Sequence, residues 1–389
     1  MKPNRCYNIT VSDEITTIIE VCPRDKGVGS TIIRAYAFFI SLVVFLSLCL
    51  GGCEYDDVSG ISTRTPIGDM PASPDWVTVY FTDPDSPTAR TYRGGPDKFL
   101  AQAIDQARLS VDVAIYDFNL WGVRDALVDA HQRGVSVRVV TESDNLDRPE
   151  MQELADAGIP VLGDRREGRM HNKFVIIDRQ QVWSGSMNFT VSEAYQNNNN
   201  LLQVRSSRLA ENYTVEFEEM FVDDRFGPGS PSNTPQPVIS VDGTQLEVYF
   251  SPDDGTAGRL VELISQADES VYFMAYSFTS DEIAAALIER VAAGVTVAGV
   301  FDASQVRSNT GTEFEHLLSE GAIVRQDGNP DKMHHKVIII DEEILVTGSY
   351  NFSASAEERN DENTLVIHNQ NITAEYLEEF EKVFIQAKD

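Results

Sequence analysis

The stretch MHNKFVIIDRQQVWSGSMNF, which begins at Met170, returns as MHHKVIIIDEEILVTGSYNF at Met333. A chain that repeats itself at this length folds as two copies of one unit. The correspondence extends outside the motif. VTVYF at Val77 matches LEVYF at Leu246, VDVAIYDF at Val111 matches VYFMAYSF at Val271, and RGVSVRVV at Arg133 matches AGVTVAGV at Ala293. These short β-branched runs predict buried strands. Helical patterns lie between them. Asp281 to Ala293 puts Ile283, Leu287, Ile288 and Val291 on one face, with Thr279 and Glu282 placed for a capping box and Gly294 as a stop. Asp147 to Gly158 offers an N-cap, an early proline at Pro149 and a closing glycine. Tyr213, Phe217 and Phe221, and again Tyr376, Phe380 and Phe384, recur every four residues and predict core-facing closing helices. Strands alternating with helices predict an α/β sandwich in each half.

The repeat divides the chain. Residues 77–226 and 246–389 are the two units, and the Pro/Gly/Ser-rich stretch between them, residues 227–245, predicts a linker. Before the first unit, residues 54–76 are polar and aperiodic, as in a tether. All four cysteines, Cys6, Cys22, Cys49 and Cys53, precede that tether, so the repeats carry neither a disulfide framework nor a thiolate metal site. Arg34 followed by AYAFFISLVVFLSLCLGGC predicts an export signal, too short to span a bilayer comfortably. Its ending, LGGC, resembles the lipobox of bacterial lipoproteins. That resemblance implies cleavage before Cys53, lipidation of Cys53 and a place on the membrane of a bacterial cell envelope; the alternative is an uncleaved membrane anchor.

Within the motif, alternation along a strand sends His171 and Lys173 to one face, continued by Val175 and Ile177, while Phe174 and Ile176 face the other way. His334 and Lys336 repeat the placement; His335 breaks it and reads as a bystander. Ser186 and Asn188 follow His171 by 15 and 17 residues, as Ser349 and Asn351 follow His334. Each pair sits behind a glycine, Gly185 or Gly348, where backbone can approach a ligand, and hydroxyl and amide groups can donate to phosphate oxygens. Either a structural unit was duplicated, or one site needs two of each group.

These residues resemble the signature of the phospholipase D superfamily, HxKxxxxD followed by GSxN, complete in both copies: His171, Lys173, Asp178, Gly185, Ser186, Asn188, and His334, Lys336, Asp341, Gly348, Ser349, Asn351. The resemblance implies two homologous α/β sandwich repeats around a pseudo-two-fold axis with one shared active site. It implies a monomer that is internally a pseudo-dimer. One histidine attacks phosphorus to give a phosphohistidine, and the other protonates the leaving oxygen and then activates water. No cofactor and no metal is called for. The catalytic set is then His171, His334, Lys173, Lys336 and Glu362, with Ser186, Asn188, Ser349 and Asn351 on the phosphate, and Asp178, Asp341 and Asn199 in support. Glu362 stands 28 residues after His334, where family members often hold a carboxylate against a catalytic histidine; the matching residue in the first half is Asn199. If that contact crosses between halves, Glu362 serves His171 and favours it as nucleophile. If it stays within one half, the roles exchange. The Asn199 departure puts equal use of the two histidines in question.

Charge bears on the substrate. The chain carries a formal net charge of −30, and −31 once residues 1–53 are removed. Such an acidic body repels polyanions. A phospholipid beside a membrane anchor is the favoured substrate, a nucleic acid the alternative, and a non-catalytic envelope module the third reading.

Overall fold

The computed structural model describes residues 73–388. The predicted signal, Cys53 and the tether up to residue 72 lie outside the described residues. In the first repeat the strands are β1 (Val77–Phe81), β2 (Ser110–Ile115), β3 (Ser136–Thr141), β4 (Val161–Gly163), β5 (Lys173–Ile177), β6 (Gln181–Gly185) and β7 (Asn200–Arg205). They form one sheet in the order β1-β7-β6-β5-β2-β3-β4. The β2–β3 and β3–β4 pairs are parallel. Parallel neighbours need a crossover, and the helices Trp121–Gln132 and Pro149–Asp156 supply it. The other pairs are antiparallel, and a tight turn joins β5 to β6.

The second repeat reproduces this plan with β9 (Thr244–Ser251), β10 (Ser270–Ala275), β11 (Thr296–Phe301), β12 (Ile323–Gln326), β13 (Lys336–Ile340), β14 (Ile344–Gly348) and β15 (Glu362–His368). Its sheet order is β12-β11-β10-β13-β14-β15-β9-β8. The added edge strand, β8 (Val238–Val241), corrects the linker reading of residues 227–245. Asp242 and Gly243 both take positive φ, 48° and 82°, and close a two-residue hairpin that returns Val241 against Thr244. Asp-Gly is the pair such a turn favours. The helix Asp281–Ala292 also starts one residue later than the Thr279 cap implies. Ser280 Oγ accepts the Ile283 N–H, while Thr279 N–H is tied to Phe352 O at 2.8 Å.

Each sheet buries one face against its own crossover helices in a separate apolar core, with Val113, Val175 and Ile177 in the first and Phe273, Ile338 and Ile340 in the second. The opposite faces hold the repeats together. The closing helix Ser207–Phe221 lies on β5 and β6 and also reaches β9; its counterpart Gln370–Gln386 lies on β13 and β14 and reaches β1. Tyr213 packs edge-on against Phe174 and Phe250, at 5.0 and 5.1 Å between ring centres, and Tyr376 against Phe81 at 5.0 Å. Such pairs contribute roughly 0.5–1.5 kcal/mol each beyond their buried area. This crossed packing makes the described residues, 73–388, one compact unit.

Candidate active site

β5 and β13 each begin with the motif lysine, and the histidine sits two residues before it, off the end of the strand. There the backbone crosses to the other repeat. His171 N–H donates to Asp361 O at 3.0 Å and Asp361 N–H to Arg169 O at 2.9 Å. The mirror pair is His334 N–H to Asn198 O at 2.9 Å and Asn198 N–H to Lys332 O at 2.8 Å. Each histidine is therefore held against the residues that open the other repeat's last strand, Glu362 of β15 or Asn199 just ahead of β7.

The side chains follow. His171 Nδ1 lies 2.7 Å from Glu362 Oε2, so the carboxylate contact crosses between repeats. His334 Nδ1 lies 3.0 Å from Asn199 Oδ1 and 3.1 Å from Glu193 Oε2. A partner on Nδ1 fixes the tautomer and leaves Nε2 to the substrate. Tyr116 stands edge-on to His171 at 4.9 Å between ring centres and Tyr276 to His334 at 4.5 Å. Lys173 and Lys336 are fully buried, and each donates to the carbonyl of its own histidine, two residues back, at 2.7 Å.

The four groups share one electrostatic environment. Burial lowers His171 to about 4 against the pull of Glu362, with both lysines lowering it further. Burial lowers His334 to about 3, opposed by Glu193, and again both lysines act on it. Burial brings Lys173 down to about 8; Lys336 is held well below its ordinary value by burial and then by the charge of Lys173. Two imidazoles and two lysine side chains thus share one buried site whose nearest carboxylates, Glu362 and Glu193, sit at the Nδ1 atoms of the rings, a set of groups suited to an anion. Among the described residues no group of three or more His, Cys, Asp or Glu is arranged for a metal.

The signature serines depart from the phosphate-contact reading. Ser349 Oγ donates its only proton to Glu362 Oε2 at 2.7 Å, and Ser186 Oγ to Asn199 Oδ1 at 2.9 Å. Both hydroxyls also accept a backbone N–H, from Asn363 at 2.9 Å and Asn200 at 3.1 Å. With the proton spent they position the histidine partners instead of binding phosphate. Gly185 and Gly348 permit this: φ is +151° and +153°, and a Cβ would come within 2.4 Å of Asn200 O or 2.2 Å of Asn363 O. Asn188 and Asn351 each keep a buried Oδ1 without a partner, while one Nδ2 proton of Asn188 goes to Glu193 Oε1 at 3.3 Å; only the remaining N–H groups of these amides can donate to an anion. Asp178 and Asp341 lie at the far ends of β5 and β13. Asp178 accepts the N–H groups of Arg108, Leu109 and Ser110 at 2.6–3.1 Å, and Asp341 those of Asp268, Glu269 and Ser270 at 2.8–2.9 Å. They tie down the starts of β2 and β10 and touch nothing in the site.

A family model described as "Cardiolipin synthase, PLD-like domain" matches residues 100–221 and 260–384, one match in each repeat. The chain belongs to the PLD-like family. A phospholipase D of Rickettsia bellii is 36% identical over 156 residues, covering 38% of this chain and 76% of the relative. A mitochondrial cardiolipin hydrolase of Xenopus laevis is 33% identical over 117 residues, covering 30% and 56%. The solved structure of phosphatidylserine synthase from Haemophilus influenzae Rd KW20, 14% identical, shares the fold with a TM-score of 0.59 over 79% of this chain and 85% of its own.

Motif reading of this PLD-like chain misses three features. Glu193, buried at 6% exposure, is the carboxylate beside His334. Tyr116 and Tyr276 lie in strand-end runs that read only as structure. Arg169 stands over Tyr116 at 6.0 Å and Lys332 over Tyr276 at 5.6 Å, at matching positions of the two repeats and both exposed. They place positive charge at the mouth of the site in a chain that is otherwise strongly acidic.

Proposed function

We propose that this phospholipase D-type phosphodiesterase hydrolyses the headgroup phosphodiester of a phospholipid through a phosphohistidine on His171. The crossed contact between His171 and Glu362 carries the reading. It leaves a neutral, oriented ring with a free Nε2, and burial keeps that ring unprotonated at neutral pH. Nε2 attacks phosphorus, and the bond from phosphorus to the leaving alcohol breaks. Once the diester's negative charge sits between the rings it favours the protonated form of His334, which passes its Nε2 proton to the leaving oxygen. His334 then takes a proton from water, the hydroxide attacks phosphorus, and the P–N bond to His171 breaks. Lys173, Lys336 and the Nδ2 protons of Asn188 and Asn351 that are not otherwise bonded donate to the equatorial oxygens as charge builds there.

Three features support a lipid over a nucleic acid: the net charge of −30, the names of the relatives, and the signal-like apolar stretch with its lipobox-like ending at Cys53. On this reading Cys53 carries the lipid and the enzyme works at the bacterial envelope. Phosphatidylcholine vesicles, phosphatidylglycerol vesicles and single-stranded DNA, offered in parallel, test it. Lipid should turn over at least about tenfold faster than DNA, and His171→Ala should lose at least about 10³-fold. Faster cleavage of DNA would transfer the site to a nuclease, and a normal rate in His171→Ala would remove the nucleophile assignment.

A further inference from the structure

The two repeats align without a gap from the motif histidine to the last strand. The short helices Val191–Tyr195 and Ala354–Glu358 match in length and in their caps, Thr190 and Ser353. In that register Glu193 falls on Ala356, and Asn199 on Glu362. Each repeat thus has one carboxylate between these two positions, on the helix in the first and on the strand in the second. We infer that Glu193 is the positioning residue for His334, a carboxylate relocated by six residues that replaces the one missing at Asn199.

The local hydrogen bonds fit this role. By sequence, TVSE at 190–193 suits a helix capping box, in which the glutamate would return to the Thr190 N–H. Its carboxylate goes elsewhere. Asn199 Nδ2 donates to Glu193 Oε2 at 2.6 Å, Asn188 Nδ2 to Oε1 at 3.3 Å, and His334 Nδ1 lies 3.1 Å from Oε2. Asn199 is fully engaged: its Oδ1 accepts from Ser186 Oγ and faces His334 Nδ1, and its second Nδ2 contact is Glu193 O at 3.0 Å. A glutamate at 199 beside Glu193 would press two buried carboxylates together, so the exchange makes sense only as a pair. In the second repeat Ala356 is fully buried and Glu362 takes His171 alone. The result is an unequal pair of dyads: His171 has one carboxylate at 2.7 Å, while the Nδ1 of His334 is shared between a carboxylate and an amide. Glu193 thereby restores His334 as a working acid–base group.

The inference rests on His334 acting in turnover, and the test separates the two. With a p-nitrophenyl diester the leaving group needs no proton, so Glu193→Gln should release the first equivalent of p-nitrophenol within about twofold of the wild-type rate. Steady turnover, which needs His334 to activate water, should fall about 10–100-fold, as should both steps with an alkyl leaving group. Transplanting the second repeat's pattern, Glu193→Ala with Asn199→Glu, should recover most of what Glu193→Ala loses. Equal losses in burst and steady rate, or no recovery in a double variant that unfolds at the wild-type temperature, would overturn the role. Imidazole ¹⁵N shifts of the full chain give a readout without turnover. Glu193→Gln should move the His334 signals and leave those of His171 in place; unmoved His334 signals would refute the coupling even if the substrate assignment were wrong.

Discussion

Asn363 Nδ2 donates to Asn172 Oδ1 at 2.9 Å, joining residues of opposite repeats beneath the site. Asn363 Oδ1 in turn accepts from Ser184 Oγ at 2.6 Å and Tyr213 OH at 3.4 Å, and its backbone N–H donates to Ser349 Oγ at 2.9 Å. The pseudo-two-fold mate of this network is Asn200 with His335, 3.1 Å apart, whose amide oxygen accepts from Thr347 Oγ1 and Tyr376 OH. His335, which reads as a bystander in the sequence, is fully buried and occupies the place of Asn172. The two networks lock the repeats in the register that brings each histidine to the other repeat's carboxylate.

Asn363→Leu should therefore be costly out of proportion to its size. It strands the amide oxygen of Asn172 and the hydroxyl of Ser184 in a buried interface. Each unsatisfied group costs about 1–3 kcal/mol. A loss of about 2–5 kcal/mol, seen as a lower denaturant midpoint with the slope unchanged, is the expected result. A loss within about 0.5 kcal/mol would mean that this network does not hold the repeats together.

The covalent step can be read directly. With His334→Ala, water activation stops while the attacking ring keeps Glu362, so a labelled activated diester should leave its phosphoryl group on the protein. Peptide mapping should place it on His171. Label recovered on any other side chain would reverse the assignment of roles.

The strands of both repeats and the histidine–lysine pairs were legible because local spacing determines them: alternation sets the faces and the repeat confirms the register. The partners of the histidines were not, because they arrive through tertiary contacts across the two-fold. Sequence comparison marks Asn199 as a loss since it inspects one aligned position; the compensating Glu193 sits six residues away on another element. The serine contacts are not legible from the motif because a hydroxyl's availability depends on where its single proton goes, here to Asn199 and Glu362. The hairpin of β8 was hidden by the prolines and glycines around Asp242–Gly243.

The buried lysines, Lys173 with Lys336 lowered beside it, set an alkaline limit on activity. Burial brings the Lys173 ammonium down to about 8, with the charges of Glu362 and Glu193 resisting. Below that pH the group is charged and faces the anionic substrate; above it the site loses a positive charge. The neutral ring of His171 persists down to about 4. For the free enzyme, kcat/KM should hold through neutrality and fall above about pH 8, tenfold per unit for one group. In Lys173→Arg, whose guanidinium stays charged, residual activity should lack this limb. A limb unmoved by the substitution would assign it to another group.

Glu142 gives a stability prediction of the opposite sense. It is 5% exposed, lies near Asp164 and accepts the Met170 N–H at 3.2 Å, just ahead of His171. Burial, then the charge of Asp164, raises it from 4.5 to about 7. A carboxyl whose folded value exceeds its unfolded value holds its proton more tightly when folded. Its stabilising contribution is complete below about 4.5 and is lost as the pH rises through 7, up to about 3 kcal/mol. Glutamine copies the protonated form and does not titrate. Glu142→Gln should therefore melt close to the wild type at pH 5 and above it at pH 8, by several degrees in a thermal scan. An equal difference at the two pH values would show that Glu142 does not titrate in this window.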